Sequence, residues 1–129
     1  MPIDYTIDAQ SRLALIVGSG RLTDAEIVEC ASRFRSDPNL TPDMKTLTDL
    51  RSITVDFSRS GILEVISLME KTQDQRSGAR AAIVVDSEVS FGMSRVWEMR
   101  VHGQVDTRVR VFRDMTEAHK WLELNPLPP

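Results

Sequence analysis

The sequence has 129 residues, a length that suits one domain with a single hydrophobic core. Apolar residues make up 41% and charged residues 27% of the chain, an ordinary globular balance. A formal net charge of −3 disfavours nucleic-acid binding through a basic surface, and the single cysteine, Cys30, excludes an internal disulfide and a cysteine-rich metal site.

The chain start, "MPIDYTIDAQSR", is polar and lacks the hydrophobic region of a secretory signal. The longest run of apolar residues is far shorter than the roughly 20 residues that a membrane-spanning helix needs. We therefore expect a cytoplasmic protein with no membrane span. It should form one domain over 1–129, with 125–129 as a loose tail.

The first predicted unit is an N-terminal hairpin. Ile3, Tyr5 and Ile7 alternate with polar residues, which predicts a half-buried strand, and the apolar run at 13–17 predicts a buried one. The "GSG" at 18–20 precedes a helix, but it lacks the Lys-Ser/Thr of a P-loop and the third glycine of a dinucleotide loop. We therefore interpret it as a flexible turn.

Strands and helices alternate along the rest of the chain. Thr23 and Glu26 have the spacing of a capping box and predict a helix over about 24–35. The elements that follow are a strand at 44–50, a helix at 61–75, a strand at 79–85, a helix at 87–102, a strand at 107–112 and a helix at 114–124, which Asp114 opens.

This order, β-β-α-β-α-β-α-β-α, predicts an α/β fold with a five-stranded mixed sheet and four main helices. Strands separated by helices pair in parallel through right-handed crossovers, so the crossover helices should share one face of the sheet. In the fifth strand Val109 and Val111 alternate with Arg108 and Arg110, which favours a half-exposed sheet.

Three stretches carry a family resemblance: "DPNLTPDMKTLTDLRS", "ARAAIVVDSEVSFGMSRVWEM" and "VRVFRDMTEAHKWL". From about Tyr5 to Leu122 the chain resembles the SpoIIAA-like family of the STAS class, which is named for sulfate transporters and anti-sigma factor antagonists. The resemblance implies a small β/α superhelix and a non-enzymatic regulatory or scaffold module that acts through protein–protein interaction. Some names of the group are associated with Sec14 lipid transfer, which implies the alternative of a small-molecule or lipid-binding module. Its site would lie at the carboxyl rim of the strands or between helices.

The resemblance also implies a candidate switch. In anti-sigma factor antagonists a strand ending in Asp-Leu leads to an Asp-Ser-Ser-Gly-Leu turn, in which one serine is phosphorylated. Here Asp49-Leu50 matches the strand end, and "DFSRSGI" at 56–62 is similar to the turn, with Phe57 and Arg59 inserted. Because of these insertions we predict that Ser58 and Ser60 are structural serines that cap the next helix. Phosphorylation and anion binding are the alternatives.

A candidate ligand rim follows from the position of the strand ends. Ligands of parallel α/β sheets bind beyond the carboxyl ends of the strands. Polar residues follow three predicted strands of this chain, where they could bind a ligand or only cap the next helix. The candidate rim residues are Asp49, Arg51, Asp86, Ser87, Arg113 and Asp114.

Two helices are more apolar than a one-sided surface helix requires. The helix at 61–75 is apolar at 62, 63, 65, 66, 68 and 69, which is wider than one sheet contact covers. The helix at 87–102 adds Trp97 and Met99, which are residue types enriched in interface cores. We predict a homodimer with Leu63, Leu68, Trp97 and Met99 as candidate interface residues. The alternative is that the two helices cover each other. We expect no catalytic constellation, cofactor or metal, and a buried, inert thiol at Cys30.

Overall fold

The computed structural model describes residues 2–72, 79–86 and 108–124, together with Glu88, Gly92, Arg95 and Glu98. Within these residues the chain forms five strands and three complete helices. In chain order they are β1 (Ile3–Asp8), β2 (Leu13–Thr23), α1 (Asp24–Arg35), β3 (Lys45–Asp56), α2 (Arg59–Lys71), β4 (Arg80–Val84), β5 (Arg108–Phe112) and α3 (Met115–Leu122).

The strands form one mixed sheet in the order β1-β2-β3-β4-β5. β1 and β2 pair antiparallel, whereas each later pair is parallel. This confirms the predicted α/β fold, with its N-terminal hairpin and parallel continuation. Three helices are described rather than four, because the helix predicted at 87–102 lies mostly outside the described residues, although Glu88, Gly92, Arg95 and Glu98 are each helical.

The prediction of a flexible turn at 18–20 is wrong, because these residues lie inside β2. From Ser19, which pairs with Ser52, to Thr23, which pairs with Asp56, β2 continues alongside β3. A register shift between Val17 and Ser19 marks a bulge in β2. A Cβ at Gly18 would lie 3.0 Å from the side chains of Leu50 and Ile53, so the glycine allows close packing. β3 likewise continues six residues past its predicted end at residue 50.

Different helices pack on the two faces of the sheet. α1 and α2 pack on one face, where Cys30, Leu22 and Ile83 belong to one buried cluster and Ile62 and Ile66 to another. For these two helices this agrees with the prediction that crossover helices share a face, whereas the third predicted crossover helix, at 87–102, lies mostly outside the described residues. α3 lies on the opposite face, above a cluster formed by Leu47, Ala82, Val84, Ala118 and Leu122.

The helix starts follow local signals. Thr23 caps α1 through the predicted capping box: the Glu26 N–H donates to Thr23 Oγ1 over 3.4 Å, and the Thr23 N–H donates to Glu26 Oε1 over 2.9 Å. Asp114 caps α3 by accepting from the Thr116 N–H over 2.9 Å. Both helices therefore begin where the sequence predicts.

Two glycine substitutions should have opposite effects on stability. A Cβ at Gly61 would overlap the Asp24 carboxylate and lie 2.7 Å from its Cγ, so Gly61→Ala should lower the free energy of unfolding by about 1–3 kcal/mol. Gly92 is helical with open space around its Cα, so Gly92→Ala should raise it by up to about 1 kcal/mol. Urea denaturation measures both. Equal effects of the two substitutions would contradict the proposed close contact of Asp24 with α2.

Candidate functional site

A cavity of about 130 Å³ lies between the sheet and the inner faces of α1 and α2. The helices supply apolar walls because their buried residues recur at helical spacing, and the strands supply the floor through every second residue. Apolar lining residues include Ile27 and Phe34 of α1, Ile62 and Met69 of α2, and Ile83 and Val109 of the sheet.

Three polar side chains also line this cavity. Thr46 and Thr48 lie on either side of Leu47 in β3, so both side chains point to the face beneath α1 and α2. Arg35 is the last residue of α1. All three are buried, with 4%, 7% and 6% of Thr46, Thr48 and Arg35 exposed. The cavity therefore joins an apolar space to two hydroxyls and a guanidinium.

The Arg35 guanidinium contacts the end of α2. Its Nε donates to Thr72 Oγ1 over 2.8 Å, and its Nη2 donates over 3.4 Å to the carbonyl oxygens of Met69 and Thr72. Burial lowers the pKa of Arg35 to about 10. Because the acceptors are neutral oxygens at the C-terminus of a helix, the guanidinium acts there as a cap for α2.

The other ends of the two helices are joined by Asp24 and Ser58. The Ser58 N–H donates to Asp24 Oδ1 over 2.6 Å, and Ser58 Oγ donates to Asp24 Oδ2 over 2.7 Å. Ser58 occupies the N-cap position of α2, but its side chain makes no cap hydrogen bond. An acidic side chain of α1 therefore lies at the N-terminus of α2, where the helix dipole favours an anion. Ser60 is exposed in the first turn of α2.

Cys30 lies in the cavity wall and is 2% exposed. Burial raises the pKa of its thiol to about 11, so the thiol is protonated at neutral pH. The prediction of a buried, unreactive cysteine agrees with this position.

The candidate rim residues lie at one edge of the sheet. Asp49 and Arg51 lie within β3, which continues to Asp56, and not at its predicted end. Asp49 is nevertheless level with Val84 at the carboxyl end of β4, and Val84 is level with Phe112 at the carboxyl end of β5. Rim residues Asp86, Arg113 and Asp114 are exposed, and Ser87 lies outside the described residues.

Most charged residues of this rim form ion pairs or a helix cap with other residues of the same chain. Arg51 donates from Nε and Nη2 to the two carboxylate oxygens of Asp49, each over 2.9 Å. Arg113 donates to Glu88 over 2.9 Å, and Asp114 caps α3. The Asp49 hydrogen bond raises the pKa of Arg51, with a smaller contribution from the nearby charge of Asp86. Asp49, Arg51 and Arg113 are thus paired charges, Asp114 is a helix cap, and Asp86 lies near Arg51.

The structure describes two of the four candidate interface residues. Leu63 is 41% exposed and Leu68 is half-buried, whereas Trp97 and Met99 lie outside the described residues. Most of the apolar surface of α2 is covered within the chain, because Ile62, Ile66 and Met69 are buried.

Sequence reasoning missed Arg35 and Thr48 as site residues. A basic residue in the last turn of a helix usually faces solvent, so Arg35 carried no signal of burial. A usable signal for the threonines was their alternation with Leu47 in the strand predicted at 44–50, which places both on the face opposite to Leu47.

Two classes of site find no support within the described ranges. No group of three His, Cys, Asp or Glu side chains in this part of the chain could hold a metal ion. None of the described helices combines the length and the apolar character needed to cross a membrane.

Comparison with known proteins identifies the fold. No protein-family model matches the sequence, and no curated protein matches it significantly. A crystal structure of an uncharacterized protein of the DUF3478 family, with a SpoIIAA-like fold, from Shewanella loihica PV-4 is similar to this chain. The TM-score is 0.61 at 19% sequence identity, and the match covers 93% of each chain. This confirms the SpoIIAA-like fold that the resemblance implied.

The Asp49–Arg51 pair predicts a pH dependence. The hydrogen bond from Arg51 lowers the pKa of Asp49, so the pair stabilises the fold above the unfolded pKa of Asp, about 3.9, and this stabilisation is lost as the pH falls through the folded pKa. Arg51→Met should therefore raise the pKa of Asp49. It should also destabilise the protein at pH 7 by at most about 1 kcal/mol, because the pair is partly exposed.

Carbon-13 NMR of the Asp49 carboxyl group measures this pKa, and urea denaturation at neutral and acidic pH measures the stability. Arg113→Met is the matched control, since it removes a rim arginine whose described partner is Glu88. An unchanged Asp49 titration in Arg51→Met would contradict the pairing.

Proposed function

We propose that the chain is a binding module that holds a small, largely apolar molecule in the cavity between α1, α2 and the sheet. The presence of this cavity is the observation on which the proposal rests. It supports the second of the two functions considered from the sequence, with a site between helices rather than at the rim. The proposed role is binding, so no covalent step is assigned to any residue.

The size of the cavity supports a small ligand. Protein interiors are packed with few voids larger than a water molecule. An apolar cavity of about 150 Å³ engineered in another protein stays dry and binds benzene. A cavity of about 130 Å³ therefore suits a molecule of similar size, or one end of a longer molecule. Its apolar walls favour ligands that gain from leaving water.

Carbon-13 methyl NMR with benzene as the probe tests this function. Added benzene should shift the methyl signals of Ile62, Ile83 and Val109, which line the cavity. The methyl signals of Leu47 and Leu122, in the cluster beneath α3, are an internal control and should not move. Equal shifts on both faces, or none at the cavity, would contradict the proposal.

A pair of adjacent alanines provides a mutational prediction. Ala81 lines the cavity, whereas Ala82 is fully buried in the packed cluster on the opposite face. Ala82→Ile should lower the free energy of unfolding by about 1–3 kcal/mol because the added atoms find no space. Ala81→Ile should have a smaller effect and should abolish the benzene-induced shifts, because its side chain grows into the cavity. Urea denaturation and the same NMR titration measure the two effects.

A second candidate function is protein–protein interaction through a homodimer, which the exposed side chain of Leu63 favours. A stable pair would bury about 800 Å² per subunit. Sedimentation at micromolar concentration should then detect a dimer that Leu63→Asp weakens while the monomer stays folded. Glu64→Gln, next along α2, is the control and should leave association unchanged. A 14.5 kDa species at every concentration would contradict self-association.

A further inference from the structure

We infer that the ligand of this cavity carries a carboxylate on its apolar body, and that Arg35 is the counter-ion of that carboxylate. The inference rests on the proposed function and narrows it to one chemical class, small apolar carboxylic acids. The inference also rests on a buried guanidinium that lies in the wall of an apolar cavity and has no acidic partner among the described residues.

The hydrogen bonds of Arg35 do not use all its donors. A guanidinium has five N–H groups in a fixed planar fork. Nε and Nη2 donate to Thr72 and Met69, but Nη1 has no acceptor among the described residues. Two N–H groups of a residue that is 6% exposed are therefore available to a further acceptor. Buried donors without partners are costly, so a ligand that satisfies them gains affinity.

The charge of Arg35 is also unbalanced. Seven of the ten other described arginines have an acidic partner within ion-pair distance although they are more exposed, and the remaining three, Arg59, Arg108 and Arg110, are exposed to solvent. The seven paired arginines are Arg12, Arg21, Arg33, Arg51, Arg80, Arg95 and Arg113. Within the described ranges Arg35 has neutral acceptors alone, and burial by itself lowers its pKa. A buried charge is normally paired, which makes this arginine an exception.

A purely structural role accounts for part of this arrangement. Nε and Nη2 cap the C-terminus of α2, whose dipole supplies about half a negative charge. Among the described residues, the cap leaves Nη1 and the remaining positive charge without a partner. A carboxylate satisfies both, because its oxygens accept from the guanidinium fork and carry a full charge.

A second polar group supports a ligand with oxygen atoms. Thr48 is 7% exposed, lines the same cavity and makes no side-chain hydrogen bond within the described part of the chain. Its hydroxyl can donate to one carboxylate oxygen while Arg35 holds the ligand at the other. The apolar walls formed by residues such as Ile62 and Val109 would then hold the hydrocarbon body.

Benzoate and benzamide test the charge requirement, because they have nearly the same shape and differ in charge. Each is titrated against methyl-labelled protein, with the cavity methyl signals of Ile62, Ile83 and Val109 as the readout. Wild-type protein should bind benzoate at least ten-fold more tightly than benzamide. Hexanoate and hexanamide repeat the comparison with an aliphatic body and distinguish aromatic from fatty acids.

Variants of two arginines on α1 identify the counter-ion. Arg35→Met should remove the preference for benzoate, and Arg35→Lys should retain part of it. Arg33→Met is the matched control; Arg33 is exposed, pairs with Asp4, and should leave the preference unchanged. If Arg35→Met does not fold, nitrogen-15 NMR of the Arg35 side chain in wild-type protein still reports the contact, because benzoate but not benzamide should shift its signals.

The outcomes separate this inference from the proposed function. Equal affinity for benzoate and benzamide, or an unchanged preference in folded Arg35→Met, would overturn the carboxylate assignment while ligand binding stands. Benzoate that leaves the Arg35 signals unmoved would also overturn it. If benzene, benzamide and benzoate all fail to shift the cavity methyl signals, both the proposed function and this inference are wrong.

Discussion

The two ends of α1 hold α2 in place through opposite charges. Asp24, the first residue of α1, accepts hydrogen bonds from Ser58 at the N-terminus of α2, and Arg35, the last residue of α1, donates to carbonyl oxygens at the C-terminus of α2. Each charge has the sign that the nearby helix dipole favours. This match is possible because both helices follow parallel strands and therefore point the same way, so like ends are neighbours.

A space remains between the sheet and the middle of the α1–α2 pair. The residues that face the gap include the small side chains of Ala31 and Ala81, and the space between them remains as the cavity. Unfilled space inside a protein lowers stability in proportion to its volume, although this cavity of about 130 Å³ is partly open to solvent and costs less than an enclosed void of the same size. A ligand that fills the space would recover part of that free energy, which couples binding to the stability of the α1–α2 pair.

The features that could be predicted from the sequence are those that depend on residues close together in the chain. The start of α1 follows from Thr23 and Glu26, which are close in the chain, and the predicted range agrees with Asp24–Arg35. The length of β2 could not be predicted, because residues 19–23 are held in the sheet by partners about 33 residues later. Arg35 was missed for the same reason: its burial depends on Met69 and Thr72, which belong to another helix. Position within an element was predictable, but contacts between elements were not.

The arrangement of charges also favours the cavity over the rim as the proposed binding site. At the rim, Asp49 is held by Arg51, and Arg113 by Glu88, so an incoming anion would compete with an existing carboxylate. At the N-terminus of α2 the Asp24 carboxylate already occupies the place that a bound anion would take. A phosphate on Ser58 would lie against that carboxylate, and the repulsion between them would separate the two helices at this end. Arg35 in the cavity wall is a buried cation with no acidic partner among the described residues, whereas Arg59 at the N-terminus of α2 is exposed, so an anionic group gains most beside Arg35.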